Sequence, residues 1–160
     1  KAGDDGMPIY AECGGFMYLA KELIMNGTSF PMAGVFSCAV EFRSRPQGLG
    51  YVEAEVLAPN PFHPLGARFR GHEFHFSRCL PVESEAASSP ASPKPALGGH
   101  ILRLHKGRGM ASSPEQGGFD GLLFRNTFAS YTHVFAPALP HWAENFVALC
   151  ADRKQRTQSL

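Results

Sequence analysis

The chain has 160 residues, a length that suits one domain with its own hydrophobic core. Lys and Arg number 15 and Asp and Glu 14, so the formal net charge is +1, and bulk charge argues against a nucleic-acid or anionic-membrane partner. An apolar fraction of 44% with 18% charged residues excludes a disordered tail.

The uncharged runs and the cysteines indicate the cellular compartment. The longest uncharged run, residues 23–40, contains too many polar residues, glycines and prolines to span a bilayer. The four cysteines are widely separated and form no C-x-x-C pair. This spacing is typical of reduced thiols, so we predict a cytoplasmic protein with no membrane segment.

The first part of the chain predicts a strand, a tight turn and a helix. Residues 7–12 form a short apolar run typical of a buried strand, and Cys13 with the two glycines after it breaks that run. Apolar residues then recur at helical spacing over residues 16–23. The Asn-Gly pair at residues 26–27 is expected to end this helix.

Strands dominate the middle of the chain. Further strands are predicted at residues 35–42, 49–57, 67–77, 101–104, 122–124 and 127–135. Residues 109–118 are interpreted as a loop. Because the chain begins with strand, turn and helix, the predicted class is α/β rather than all-β.

The remaining segments define the predicted domain limits. Residues 1–151 are expected to form the domain, with a flexible surface insertion at residues 81–99 that is rich in Ser, Ala and Pro, and residues 152–160 are expected to be a polar tail. Pro140 can open a last helix at its first turn. The apolar stripe of that helix consists of Trp142, Phe146, Leu149 and Cys150.

Cys13 is the first candidate catalytic residue. Gly14 and Gly15 permit a sharp turn at this point and let a substrate approach the main chain. The unpaired N–H groups of the following helix are expected to lower the pKa of the thiol, and the Gly14 N–H is a candidate oxyanion donor. The other three cysteines are predicted to be packing residues. The alternative is that Cys13 is itself a buried structural cysteine.

A thiolate nucleophile needs a base, and His133 is the candidate. It lies near the end of a late strand, and in open α/β sheets the carboxyl ends of strands meet at one edge. The two residues are therefore expected to meet although 120 positions separate them. The alternative is a strand histidine that only caps a neighbouring loop.

Residues 70–77 form the second dense polar cluster. Strand alternation places His72, Phe74 and Phe76 on one face, with Glu73, His75 and Ser77 on the other. His72 and Glu73 are candidate substrate-positioning residues. A solvated edge strand would give a similar pattern.

A zinc site is an alternative use of the same cluster. Its candidate ligands are His72, His75 and Cys79, completed by Cys38 or His63. Strand alternation places His72 and His75 on opposite faces, so we predict no metal site. The chain also has no Walker-type glycine-rich motif, so no ATP is expected on it.

Four segments carry a family resemblance. They are residues 8–19 (PIYAECGGFMYL), 50–51 (GY), 70–77 (RGHEFHFS) and 129–133 (ASYTH). In order and spacing they resemble the glutaminase domain of the cobyrinic acid a,c-diamide synthases. The resemblance covers nearly the whole chain apart from the Ser/Ala/Pro insertion and the tail.

The resemblance implies a class I glutamine amidotransferase-like domain with a flavodoxin-like, three-layer fold around a mixed sheet. It implies that Cys13 attacks glutamine and that His133 is the general base. Ammonia would pass to an N-terminal synthase domain of the same polypeptide, where ATP and Mg²⁺ bind and the a and c carboxylates of a corrinoid precursor are amidated. It also allows a homodimer.

Two departures from the family pattern stand out. Many related amidotransferases have a carboxylate two residues after the histidine, and Phe135 occupies that position here. The chain also starts just before the nucleophile strand, so we expect an N-terminally truncated domain that lacks the second oxyanion donor and is weakly active alone. Related tetrapyrrole amidases, a free-standing thiol hydrolase of γ-glutamyl compounds and a non-enzymatic binding module remain alternatives.

Overall fold

The structure, a computed structural model, describes residues 1–81, 99–113 and 117–158. The strands are, in chain order, β1 (Ile9–Glu12), β2 (Glu22–Met25), β3 (Thr28–Pro31), β4 (Cys38–Phe42), β5 (Gly48–Val56), β6 (Arg68–His75), β7 (Ser77–Pro81), β8 (Leu102–Lys106), β9 (Ala111–Ser113), β10 (Gly117–Asp120), β11 (Leu122–Phe124), β12 (Thr127–Ser130) and β13 (His133–Val134). The helices are α1 (Gly14–Leu19) and α2 (Pro140–Gln158), and a 3₁₀ turn spans Ala136–Ala138. The described residues thus form a mixed α/β fold with several sheets and few helices, which confirms the predicted class.

The strands are arranged in three sheets. The three-stranded sheet has the order β1-β12-β11, the six-stranded sheet β13-β6-β5-β8-β10-β9, and the four-stranded sheet β3-β2-β4-β7. The ladders β1–β12 and β2–β4 are parallel, and the other strand ladders are antiparallel. Neither described helix is long and apolar enough to cross a bilayer.

The three-stranded sheet lies between two hydrophobic cores because its side chains alternate between its faces. Ala11 and Ala129 pack into the first core, which also contains Phe16 and Leu19 of α1. Tyr10 and Phe128, their neighbours in sequence, pack into the second core. Burial on both faces explains why the segment before Cys13 is a short apolar run without alternation.

The second core lies against the six-stranded sheet and α2. Alternate residues of β5 and β8 point into it, and the half-buried apolar residues of α2 cover it. The α2 side chains packed on this core are Trp142, Phe146 and Leu149. The predicted start of the helix at Pro140 is therefore confirmed, and so is most of its apolar stripe.

The predicted helix over residues 16–23 is too long. Helix α1 ends at Leu19, Ala20 is extended, and residues 22–25 form strand β2 between β3 and β4. Asn26 and Gly27 have φ angles of 51° and 78°, the pair of left-handed conformations that a two-residue hairpin turn requires. The Asn-Gly pair therefore joins two strands and does not end a helix. Leu23 still contacts the first core, which is why helical spacing was a misleading signal.

Two further predictions about elements are wrong. The region interpreted as a loop at residues 109–118 contains β9 and the start of β10, which pair with each other. The strand expected over residues 127–135 is interrupted at residues 131–132. Its first part, β12, belongs to the three-stranded sheet and its last part, β13, to the six-stranded sheet.

The C-terminal segment of the chain is helical. Helix α2 continues to Gln158, through the segment predicted as a polar tail from residue 152, and an Asp152–Arg156 ion pair of 2.7 Å lies on its last turns. Cys150 is exposed, whereas it was expected to pack. Most of the predicted insertion, residues 82–98, lies outside the described residues.

Candidate active site

Cys13 lies in a strained turn between β1 and α1. Its φ of 47° and ψ of −101° are unusual for a residue with a side chain, whereas Gly14 and Gly15 avoid positive φ. The strain falls on the cysteine itself, not on the glycines as expected. The Cys13 N–H donates to the Ser130 carbonyl at 2.8 Å, so β12 holds the turn in place. Strain of this kind persists where the surrounding structure enforces it, often at functional sites.

The side of α1 that faces the first core anchors this turn. Phe16 is fully buried and its ring lies edge-on to Tyr131 at 5.0 Å. Gly14 is exposed, and a Cβ added to it would meet no atom within 4 Å. The space over the Gly14 backbone is therefore open, as a substrate approaching the Cys13 sulfur requires.

The thiol of Cys13 is not activated in advance. Burial raises its pKa, a hydrogen bond from the Gly14 N–H opposes this effect, and the negative charges of Glu12 and Asp120 raise the pKa further. The net direction is upward: the Gly14 N–H at the start of α1 lowers the pKa as expected, but burial outweighs it. The sulfur lies 3.9 Å from the Phe74 carbonyl oxygen, to which it donates. A reaction of this thiol therefore needs a group that removes its proton.

His133 is held beside Glu12, the residue that precedes the nucleophile. Its Nδ1 lies 3.2 Å from the Glu12 carboxylate, and its ring stacks on His72 with centroids 4.8 Å apart. Because a carboxylate accepts hydrogen bonds, this contact favours a proton on Nδ1, which in the neutral imidazole leaves the lone pair on Nε2. The structure thus brings His133 and His72 to the strand end that carries Cys13.

Asp120 supports the backbone that leads to His133, and sequence reasoning missed it. It is fully buried and accepts hydrogen bonds from the N–H groups of Gly121, Tyr131 and Thr132 and from the Thr132 hydroxyl, at 2.7–3.1 Å. Burial raises its pKa, while these hydrogen bonds act in the opposite direction. No spacing in the sequence links this aspartate to a turn eleven residues later.

Glu73 lies away from the Cys13 and His133 side chains. The predicted alternation of β6 is confirmed: His72 and Phe74 are exposed, while Glu73 and His75 are buried on the other face. The Glu73 carboxylate accepts the N–H groups of Arg108 and Gly109 at 2.8 and 2.9 Å. Burial opposes its ionisation, but the hydrogen bonds from His75 and these amides outweigh burial and lower its pKa. Its contacts stabilise the turn after β8.

A groove opens on the exposed face next to His72. Its volume is about 600 Å³. Its aromatic walls are Tyr51, His72 and Phe135. Its charged walls are Arg70, Lys106 and Glu53, and the Glu53 carboxylate lies 3.9 Å from the Arg70 Nε. It can hold a small polar molecule with a carboxylate, such as an amino acid.

The candidate zinc ligands are not assembled. His72 and His75 occupy opposite faces of β6, and the Cys79 thiol contacts Cys38 in the first core. Within the described ranges, no three His, Cys, Asp or Glu side chains are grouped closely enough to hold a metal ion.

A strained cysteine that directly follows a glutamate in contact with the Nδ1 of a histidine supplies the residue types that thiol-dependent hydrolases use. Comparison with known proteins agrees with this class. Residues 1–138 match the profile of the CobB/CobQ-like glutamine amidotransferase domain, and the chain belongs to this family. It is a glutamine amidotransferase domain by that membership.

The curated relatives are longer proteins. The chain is 37% identical over 142 residues to a cobyrinate a,c-diamide synthase of Methanothermobacter thermautotrophicus, covering 89% of this chain and 27% of that protein. It is 46% identical over 152 residues to a cobyrinate a,c-diamide synthase of Caldanaerobacter subterraneus, covering 94% of this chain and 29% of that protein. The chain therefore spans less than a third of the length of these relatives.

Proposed function

We propose that this chain is the glutamine-hydrolysing part of a cobyrinate a,c-diamide synthase. The observation that carries the proposal is the strained backbone of Cys13 directly after Glu12, whose carboxylate contacts the Nδ1 of His133. The choice of acceptor comes from the relatives, whose names specify cobyrinate. Ammonia formed at Cys13 is then used to amidate the a and c carboxylates of a corrinoid precursor.

The raised pKa of Cys13 fixes the order of events in this proposal. At neutral pH the thiol is protonated, so His133 removes its proton through Nε2 as the sulfur attacks the side-chain amide carbon of glutamine. The imidazolium then returns the proton to the amide nitrogen, the C–N bond breaks and ammonia leaves. His133 next deprotonates water, which cleaves the thioester and releases glutamate and the free thiol.

Two neighbouring groups assist this reaction. The Gly14 N–H, which already faces the Cys13 sulfur, donates to the oxyanion that forms on the amide oxygen. His72 stacks on His133 and borders the groove, where Arg70 and Lys106 attract the carboxylate of glutamine. We assign substrate positioning to His72, and no such role to Glu73, whose carboxylate is buried and already hydrogen-bonded.

The rest of the proposal concerns the protein that contains this chain. ATP and Mg²⁺ bind a separate synthase domain of the same polypeptide, N-terminal to this one; the much greater length of the relatives supports this part of the proposal. The parallel β1–β12 pair between two hydrophobic cores supports a flavodoxin-like arrangement of layers. The protein acts in the cytoplasm, without nucleic acid.

Selective loss of glutamine use tests the proposal. In the purified intact protein, Cys13→Ala should abolish amidation of cobyrinate with glutamine as donor, while amidation with added ammonium salt continues at the wild-type rate. Cys150→Ala, which changes an exposed thiol on α2, is the matched control and should leave both rates unchanged. Glutamine-dependent amidation by the Cys13→Ala variant would overturn the assignment.

A further inference from the structure

The Glu12 carboxylate contacts His133 across 121 positions of sequence. One oxygen lies 3.2 Å from the His133 Nδ1, and the other accepts the Val134 backbone N–H at 3.0 Å. Both oxygens are therefore engaged by the two residues of strand β13. The side chains of Glu12 and His133 are 26% and 28% exposed, so water competes only partly for this contact.

No other carboxylate takes this role among the residues that the structure describes. Position 135, where the resemblance places an acid in many related proteins, is a phenylalanine that is 67% exposed. The other contact of the His133 ring is the stacked ring of His72, which offers no acceptor in the plane of the imidazole. The Nδ1–H of His133 is thus directed at Glu12.

The backbone of Glu12 is fixed by the same contacts that fix the nucleophile. Glu12 lies opposite Ser130 in the parallel β1–β12 ladder, and the next residue, Cys13, donates its N–H to the Ser130 carbonyl at 2.8 Å. One strand end therefore sets the positions of both the thiol and the carboxylate. A carboxylate whose backbone is fixed in this way is well suited to orienting a histidine ring.

We propose that Glu12 is the positioning residue for His133, an inference that rests on the proposed function. By accepting the Nδ1–H it keeps the Nε2 lone pair directed away from itself and available as a base. When Nε2 takes the proton of the Cys13 thiol, the ring becomes positive and the adjacent carboxylate stabilises it. When the ring returns that proton to the leaving amide nitrogen, it is neutral again and the contact with Glu12 is unchanged.

Glu12→Gln tests the inference in the purified intact protein. The amide cannot accept from both Nδ1 and the Val134 N–H, so kcat for glutamate release should fall roughly 10²-fold, with KM changed by less than about a factor of two. Amidation with added ammonium salt should keep its wild-type rate, which shows that the synthase domain is intact, and an unchanged KM for glutamine shows that the glutaminase site is folded. A kcat within about twofold of wild type would overturn the inference.

The matched control is Glu41→Gln on β4. Its side chain is 23% exposed and also has close partners, Arg43 and Arg78, which lie on neighbouring segments outside the site. The substitution is the same and the exposure is similar. The control should keep the wild-type kcat, and an equal loss in both variants would mean that Glu12 acts only on stability.

A double variant separates positioning from a purely structural effect. If Glu12 acts through His133, adding Glu12→Gln to His133→Ala should not lower kcat beyond the loss in His133→Ala alone. If the loss of kcat in the double variant equals the product of the losses in the two single variants, the inference is contradicted. A wild-type rate in His133→Ala would instead overturn the proposed base, so the two failures are distinguishable.

The protonation of the ring gives a readout that needs no turnover. In protein labelled with ¹⁵N-histidine, the neutral His133 should carry its proton on Nδ1, and Glu12→Gln should produce a mixture of the two tautomers. If Glu12→Gln does not fold, Glu12→Asp is the second variant: it keeps the charge with a shorter reach and should retain the Nδ1 tautomer with a kcat below wild type. An unchanged tautomer in Glu12→Gln, or an Nε2 tautomer in wild type or Glu12→Asp, would contradict the proposal.

Discussion

Gly71 lies directly beneath the backbone of His133. In the β6–β13 ladder a Cβ added to Gly71 would come within 2.4 Å of the His133 carbonyl oxygen and 2.7 Å of the Thr132 Cγ2. Strand β13, which carries His133, can therefore pair with β6 only because residue 71 has no side chain. The glycine of the RGHEFHFS segment has a steric role in the site.

Gly71→Ala should displace β13 and lower the rate of glutamate release. Misplacing a catalytic group by about 1 Å can cost roughly 10²-fold in rate, so we expect a loss of that order. Gly99→Ala is the control, since a Cβ there meets no atom within 4 Å and should leave the rate unchanged. Equal rates in the two variants would contradict the steric role of Gly71.

Asp120→Asn should destabilise the turn that leads to His133. An asparagine has one acceptor oxygen in place of two, so at least one buried donor at Tyr131 or Thr132 loses its partner. An unsatisfied buried donor costs about 1–3 kcal/mol of the free energy of unfolding, measured by chemical denaturation. Asp152→Asn, on the exposed end of α2, should change that free energy by less than about 0.5 kcal/mol.

The alkylation of Cys13 by iodoacetamide should depend steeply on pH. Because the pKa of this thiol is raised by burial, its thiolate fraction and its alkylation rate should still increase above about pH 8.5. Exposed Cys150 is an internal reference, and peptide mapping follows both sites in one sample. A Cys13 rate that is already constant at neutral pH would show a thiolate formed in advance.

Acidification should destabilise the fold through His63. Its side chain is nearly fully buried, and burial, with a smaller effect of His141, lowers its pKa to about 4. The pKa of a histidine in the unfolded chain is about 6.5. At pH values between about 4 and 6.5 the unfolded state therefore binds more protons than the folded state. The contribution of neutral His63 to the free energy of unfolding is therefore fully present above about pH 6.5, and it is lost as the pH falls towards about 4.

The loss due to His63 is at most roughly 3–4 kcal/mol, at 1.36 kcal/mol for each pKa unit between 6.5 and about 4. Denaturation curves at several pH values measure it, and His63→Gln, whose side chain can still accept from the Tyr10 hydroxyl, should remove this part of the pH dependence. His105→Gln, on an exposed face of β8, should leave it in place. The same pH dependence in wild type and His63→Gln would mean that another group is responsible.

Local sequence patterns predicted the elements whose burial follows a simple period. The apolar run before Cys13, the alternation that separates His72 from Glu73 on β6, and the start of the last helix at Pro140 are all present in the structure. Each depends on neighbours in sequence, because burial alternates every second residue in a strand and recurs on one face of a helix. The family resemblance was carried by motifs of the same local kind.

The tertiary structure decided what holds the candidate site together. The contact of Glu12 with His133, the hydrogen bonds of Asp120 and the break in the strand at residues 131–132 join segments that no sequence period relates. The direction of the Cys13 pKa shift likewise depends on how deeply the thiol is buried and on which charges face it. These properties arise from the register of the ladders and from buried polar contacts between distant segments. Such contacts produce no periodic pattern in the sequence.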